Sequence, residues 1–128
     1  MSKSKILVID DESDFLEFLK EELQAREYDV ATACDGQDGL TKIKEYKPDL
    51  IICDFKMPKK NGLEVLGEFR AGGDTKTPFI MLTAMDDFEK TKTAYDKEAN
   101  LYLTKPFQLP VLLKNIQLFL TLAQNRLG

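Results

Sequence analysis

The stretch KILVIDDES, Lys5 to Ser13, places the apolar run Ile6 to Ile9 directly before Asp10, Asp11 and Glu12. A continuous apolar run of this length suits a parallel strand covered on both faces better than an antiparallel strand with one wet face. The acids at its end need a separate reason, because neighbouring carboxylates repel and resist burial. Four further runs downstream also read as strands: Val30 to Cys34, Leu50 to Asp54, Phe79 to Thr83 and Leu101 to Thr104. Taking the first as Ile6 to Asp10, strand and helical segments alternate five times, which predicts a doubly wound parallel α/β sheet with helices on both faces.

The helical segments are recognised by their apolar spacing. Phe15, Leu16, Leu19 and Leu23 share one face of the first, with Ser13 or Asp14 as its cap. Leu40 and Ile43 mark the second, and Leu63, Leu66 and Phe69 the third. The fourth, about Asp87 to Tyr95, shows only Phe88, Thr91 and Tyr95 as a stripe. The fifth starts near Pro110 and carries Leu112, Ile116, Phe119 and Leu122. Lys47-Pro48 and Gly72-Gly73 fall in connections.

Composition narrows the class. At 128 residues and 43% hydrophobic, residues 1–128 read as one globular domain. No apolar stretch reaches the length of a membrane span and no signal-peptide core opens the chain, which predicts a cytoplasmic protein. A formal net charge of -4 argues against direct binding of nucleic acid. The absence of histidine removes the usual general base and imidazole ligand, and any phosphohistidine carried by the chain itself. Cys34 and Cys53 sit among apolar and β-branched residues and read as two reduced, buried thiols.

In an open α/β sheet the reactive crevice lies beyond the carboxyl ends of the strands. Asp10 and Asp11 close the first strand, Asp54 the third and Thr83 the fourth, and Lys105 follows the fifth. If the first and third strands are neighbours, three carboxylates meet. Two such charges about 4 Å apart repel by roughly 4 kcal/mol at an effective dielectric near 20, a large part of a total stability of about 5–15 kcal/mol. One acid is enough to cap the following helix, so three from two strands call for a cation. An all-oxygen donor set favours Mg²⁺, with Mn²⁺ as a substitute. Thr83 alone is an ordinary β-branched strand end, and Lys105 alone an ordinary loop lysine. Together they supply a hydroxyl and an ammonium to an incoming phosphoryl group, with Asp54 as the nucleophile that forms an acyl phosphate. The same crowding predicts that Asp54→Asn stabilises the metal-free fold.

The segments VIDDE, LIICDFKMPKKNG, MLTA and YLTKPF, taken in order and spacing, closely resemble the receiver domain of bacterial response regulators in two-component and phosphorelay signalling. The resemblance runs from Lys5 to the last helix. It implies a flavodoxin-like three-layer sandwich with strand order 2-1-3-4-5. It implies that Asp54 takes a phosphoryl group from a phosphohistidine on a sensor kinase or histidine phosphotransfer protein. Such a domain is no enzyme in the ordinary sense; it catalyses its own phosphorylation and slow autodephosphorylation. Asp11, Asp54 and the Lys56 carbonyl are implied to ligate Mg²⁺ directly, with Asp10 acting through water. Lys105, Thr83 and the Ala84 backbone contact the phosphoryl group, and Lys105-Pro106 is implied to be a cis peptide. Thr83 and Tyr102 form the switch, although Tyr102 by itself reads as an edge-strand aromatic. The output face is implied to be the fourth helix, fifth strand and fifth helix, engaging a downstream effector domain or protein; homodimerisation on phosphorylation is compatible with it. The chain reads as a stand-alone receiver or as the N-terminal piece of a longer regulator.

Some positions depart from the family pattern. Lys56 and Met85 flank the approach of a hydrolytic water, and an apolar Met85 predicts slow loss of the phosphoryl group. Glu98-Ala99-Asn100 stands where receivers commonly have a Gly-Ala turn, and Asn61-Gly62 replaces Asp-Gly while keeping its turn chemistry. A haloacid-dehalogenase-type phosphatase shares the Asp, Thr, Lys and Mg²⁺ set but needs an acid two residues after the nucleophile, where Lys56 stands. A flavin mononucleotide binder would want a hydroxyl- and glycine-rich first loop, and DDES repels phosphate. An interaction module that has lost phosphorylation is disfavoured by the presence of all five site residues.

Overall fold

The computed structural model describes residues 3–84 and 99–127. The segment read as the fourth helix, and with it Met85 and Glu98, lies outside the described residues. Five strands, β1 (Lys5–Ile9), β2 (Asp29–Ala33), β3 (Leu50–Asp54), β4 (Phe79–Ala84) and β5 (Leu101–Lys105), form one sheet in the order β2-β1-β3-β4-β5. Every pairing is parallel. The expected fold class and strand order therefore stand, each strand within a residue of the apolar run that announced it.

The continuous runs work because their two faces feed two cores. Ile6, Val8, Leu50, Ile52, Ile80 and Leu82 point to one side, where they pack with Leu16, Leu19 and Leu23 of α1 (Ser13–Gln24) and with Leu112, Ile116 and Leu120 of the C-terminal helix (Leu109–Leu127). Leu7, Ile9, Ile51, Cys53, Phe79 and Met81 point to the other, against Ile43 of α2 (Gly36–Tyr46) and Val65 and Leu66 of α3 (Gly62–Ala71). The period-2 alternation of strand side chains sorts each run between the two layers.

Three readings need correction, and a fourth gains detail. Neither Ser13 nor Asp14 caps α1: the cap position is Glu12, which makes no side-chain cap bond, and Asp10 Oδ1 accepts its amide at 2.9 Å. A carboxylate two residues upstream turns the chain first. Cys34 is exposed rather than buried, because β2 is an edge strand ending at Ala33 and the thiol falls beyond it, beside Asp35 and Asp38. Leu122 is 45% exposed, since Leu120 continues the i, i+4 row of Leu112 and Ile116. The turn chemistry expected of Asn61-Gly62 serves to start α3. Asn61 Oδ1 accepts from the Glu64 amide and Glu64 Oε1 from the Asn61 amide, both at 2.9 Å, a closed capping box.

Gly62 is required by contact, not by backbone angle. A Cβ there would lie 2.7 Å from the Asp54 carbonyl oxygen and would overlap Met81 Sδ. Its amide donates to the Phe55 carbonyl at 2.7 Å, so α3 begins pressed against the end of β3. Asn100 ties down the start of β4. Its amide donates to the Phe79 carbonyl at 2.8 Å, and its side-chain oxygen accepts the Phe79 amide at 2.9 Å.

Candidate functional site

Register places the acids. Ile9 pairs with Cys53 across β1 and β3, so the next residues, Asp10 and Asp54, stand abreast at the carboxyl edge of the sheet. Thr83 and Ala84 end β4, and Ala84 pairs with Lys105 of β5. Three polar residues from three adjacent strands are thus drawn into the interior: Asp10 is 1%, Asp54 7% and Thr83 1% exposed. Asp11 remains exposed beside them. A cleft of about 380 Å³ opens above, lined by Asp11, Glu12, Asp54, Lys56, Ala84 and Lys105.

One ligand oxygen from each of Asp10, Asp11 and Asp54 lies within 4.8 Å of the others. Lys105 bridges the group: Nζ is 2.7 Å from Asp54 Oδ1 and 3.8 Å from Asp10 Oδ2. Asp10 is nevertheless incompletely satisfied. Its Oδ1 holds the Glu12 amide, whereas Oδ2 is buried with no hydrogen-bond partner among the described residues. Nearly all buried polar atoms in folded proteins find a partner. A hard divalent cation among these oxygens would supply it, so the residues present fit Mg²⁺.

The electrostatics follow from this crowding. Burial, aided by the Asp54 charge and opposed by the Glu12 amide, pushes the Asp10 carboxyl up to about 6. Burial also raises Asp54, against the bond and charge of Lys105. For Lys105, burial acts to favour the neutral amine, but the Asp54 bond and the two carboxylate charges outweigh it and hold the ammonium more firmly than usual. Burial likewise raises the Cys53 thiol, whose Sγ–H donates to the Asp54 carbonyl at 3.3 Å.

The remaining sequence candidates fall around this centre. Lys56 is exposed on the cleft wall, two residues beyond Asp54. Thr83 Oγ1 donates to the Ala84 carbonyl at 3.2 Å. Tyr102 is half-buried, packs with the core on the α3 side and pairs with Met81 across β4 and β5. The Lys105-Pro106 peptide is cis. Two residues of the site were not legible as such in the sequence. Gly62 looked like turn punctuation, and Phe15 looked like one member of a core stripe although its ring lies 5.6 Å from the Lys105 ammonium. Only the fold brings α1 against the loop after β5.

A family model described as the response regulator receiver domain matches residues 6–117. The regulatory protein VanRB of Enterococcus faecalis is 38% identical over 116 residues, covering 91% of this chain and 52% of that protein. The chain spans about half the length of the curated relatives it matches. Among solved structures, a CheY-like receiver domain from Methanospirillum hungatei superposes with a TM-score of 0.89 at 27% identity, covering 98% of this chain and 99% of that one. The response regulator TrrA of Thermotoga maritima, solved in complex with Mg²⁺-BeF, gives a TM-score of 0.80 at 35% identity over 91% of this chain and 98% of its own. The strand order, the acidic cluster at the carboxyl edge and the sequence match agree: the chain belongs to the response regulator receiver domain family of two-component systems.

Proposed function

We propose that residues 1–128 form one receiver domain in which Asp54 accepts a phosphoryl group from a phosphohistidine on a sensor kinase or histidine phosphotransfer protein. The observation that carries this reading is Asp54 at the floor of an open cleft, with Lys105 Nζ at 2.7 Å and two further acids within 4.8 Å. An Asp54 carboxylate oxygen forms the new bond to phosphorus as the P–N bond breaks, and the imidazole leaves with the electron pair. Asp10, Asp11, Asp54 and the Lys56 carbonyl would hold Mg²⁺, or Mn²⁺ in its place. When bound, the cation supplies countercharge to the carboxylates and to the phosphoryl oxygens. Lys105, Thr83 and the Ala84 amide take the remaining phosphoryl oxygens, with Asp54 fixed in line by the close seat of Gly62.

The added charge and acceptors favour an arrangement in which Thr83 and Tyr102 move together, shifting the population of an output face built on the fourth helix, fifth strand and fifth helix. That face engages an effector domain or protein, with homodimerisation as one outcome. Autodephosphorylation is slow, because a methionine at position 85 offers no polar group to orient water. A cytoplasmic location is consistent with the lack, among the described residues, of any helix long and apolar enough to cross a membrane. The net charge of -4 gives direct nucleic-acid binding no basic footing.

The test is incubation of the chain with Mg²⁺ and acetyl phosphate, followed by intact mass and site mapping. The expected result is one added phosphoryl group, on Asp54, absent when chelator is present from the start and absent in Asp54→Ala. Labelling of any other residue, or none in the native chain, would overturn the proposal.

A further inference from the structure

The Lys105 ammonium is held from three directions, and one of them is not a carboxylate. Asp54 Oδ1 is at 2.7 Å, Asp10 Oδ2 at 3.8 Å, and the centroid of the Phe15 ring at 5.6 Å. Phe15 lies in the first turn of α1, just beyond the two acids that end β1. Its ring meets that of Phe107 edge to face, with centroids 6.2 Å apart and planes at 87°. Phe107 follows Lys105 by two residues, so the pair ties the helix after the acids to the loop that carries the lysine. Both rings are half-buried.

An ammonium has three donors and attracts water strongly. The Lys105 side chain is 30% exposed, so without a third wall it would share its time between the carboxylates and solvent. A ring face attracts the cation through its quadrupole and accepts no conventional hydrogen bond from it. It therefore restrains the ammonium at the cleft while leaving donors for an arriving phosphoryl oxygen. A carboxylate in the same place would compete with that oxygen.

We infer that Phe15 is a positioning residue for phosphoryl transfer to Asp54, its ring fixing the Lys105 ammonium over the cleft and Phe107 fixing the tilt of that ring. This rests on the phosphoacceptor reading of Asp54. Acetyl phosphate and Mg²⁺ with the whole chain test it, so that docking of a partner protein does not enter. Phe15→Leu keeps an apolar side chain but removes the ring; Phe15→Tyr keeps the ring.

The leucine variant should be phosphorylated about two- to tenfold more slowly, and the tyrosine variant within about twofold of native. In protein labelled with ¹³C at lysine Cε, the Lys105 resonance, assigned through Lys105→Arg, should carry a ring-current shift in the native and tyrosine chains that is lost in the leucine chain. A merely structural Phe15 would not produce that pattern. Equal rates for native and leucine chains, a tyrosine chain as slow as the leucine chain, or an unmoved Lys105 resonance would each overturn the inference. A native chain that takes up no phosphoryl group would overturn the proposed function as well.

Discussion

Asp10→Asn is expected to stabilise the metal-free protein while removing most of its response to magnesium. Asp10 is 1% exposed, and its Oδ2 has no hydrogen-bond partner among the described residues. A ligand oxygen of Asp54 lies within 4.8 Å, a repulsion of about 3.5 kcal/mol or more at an effective dielectric near 20. Lys105 at 3.8 Å from Asp10 Oδ2 offsets a similar amount, which leaves burial, the largest contribution, to decide the balance. The carboxyl sits at about 6 rather than 3.8. A rise of that size corresponds to about 3 kcal/mol, reduced to about 1–2 kcal/mol by solvent screening at the open side of the cleft.

Asparagine keeps the oxygen that accepts the Glu12 amide and replaces the unsatisfied oxygen by a donor. In chelator at pH 7 its Tm should therefore exceed that of native protein by about 3–8 °C. Magnesium at about 100 times its Kd should add about 2.7 kcal/mol to the native chain and little to the variant, so the order of the melting temperatures narrows or reverses. The pH dependence has a definite sign. A carboxyl whose folded value is raised stabilises fully below 3.8, and that contribution is lost as pH rises through about 6. In chelator the native chain should fall behind Asp10→Asn across this window. Scanning calorimetry with and without Mg²⁺ measures all three effects. A variant that melts at or below native in chelator would refute the reasoning. Asp54→Asn, the substitution suggested by acid crowding alone, is the poorer choice. Its Lys105 partner at 2.7 Å opposes the burial that raises the Asp54 carboxyl, so removing the charge also removes a close ion pair and the gain is smaller.

Gly62→Ala should cost about 1–3 kcal/mol in a urea titration, because its Cβ meets the Asp54 carbonyl and Met81; an unchanged midpoint would show that α3 shifts freely. Asp74 accepts from the Lys76 amide at 2.9 Å, the Thr77 amide at 2.8 Å and Thr77 Oγ1 at 2.6 Å, with Arg70 3.6 Å away. Burial opposes its ionisation, but the Thr77 bonds prevail and hold its carboxyl below the usual value. Asp74→Ala should thus cost about 1–3 kcal/mol at pH 7, and the difference from native should shrink as pH falls below about 4. A difference independent of pH would remove the ionised carboxylate from the explanation. Met85→Glu should shorten the lifetime of the phosphorylated chain by about tenfold, read as loss of label, since a carboxylate can orient water where methionine cannot. Native protein that loses label as fast as the variant would contradict the slow-hydrolysis reading.

Sequence alone determined the sheet and the composition of the site. Runs such as Ile6 to Ile9 and Leu50 to Cys53 are apolar at every position, and only a strand buried on both faces uses such a run fully. Acids at the ends of two runs, with Thr83 and Lys105 at the ends of two more, marked the reactive edge because all strands of a parallel sheet end on the same side. These signals are local or periodic, and so they survive in one dimension.

Tertiary structure alone decided the couplings. It set Asp10 abreast of Asp54, gave Lys105 to Asp54 more than to Asp10, and left one Asp10 oxygen without a hydrogen-bond partner among the described residues. It exposed Cys34 by making β2 an edge, and it turned Gly62 from turn punctuation into a contact and Phe15 from core filler into a wall for the lysine. Each depends on distances between segments far apart in the chain. Coulomb energy, burial and steric overlap change over an ångström or two, whereas residue spacing locates an element only to within a residue.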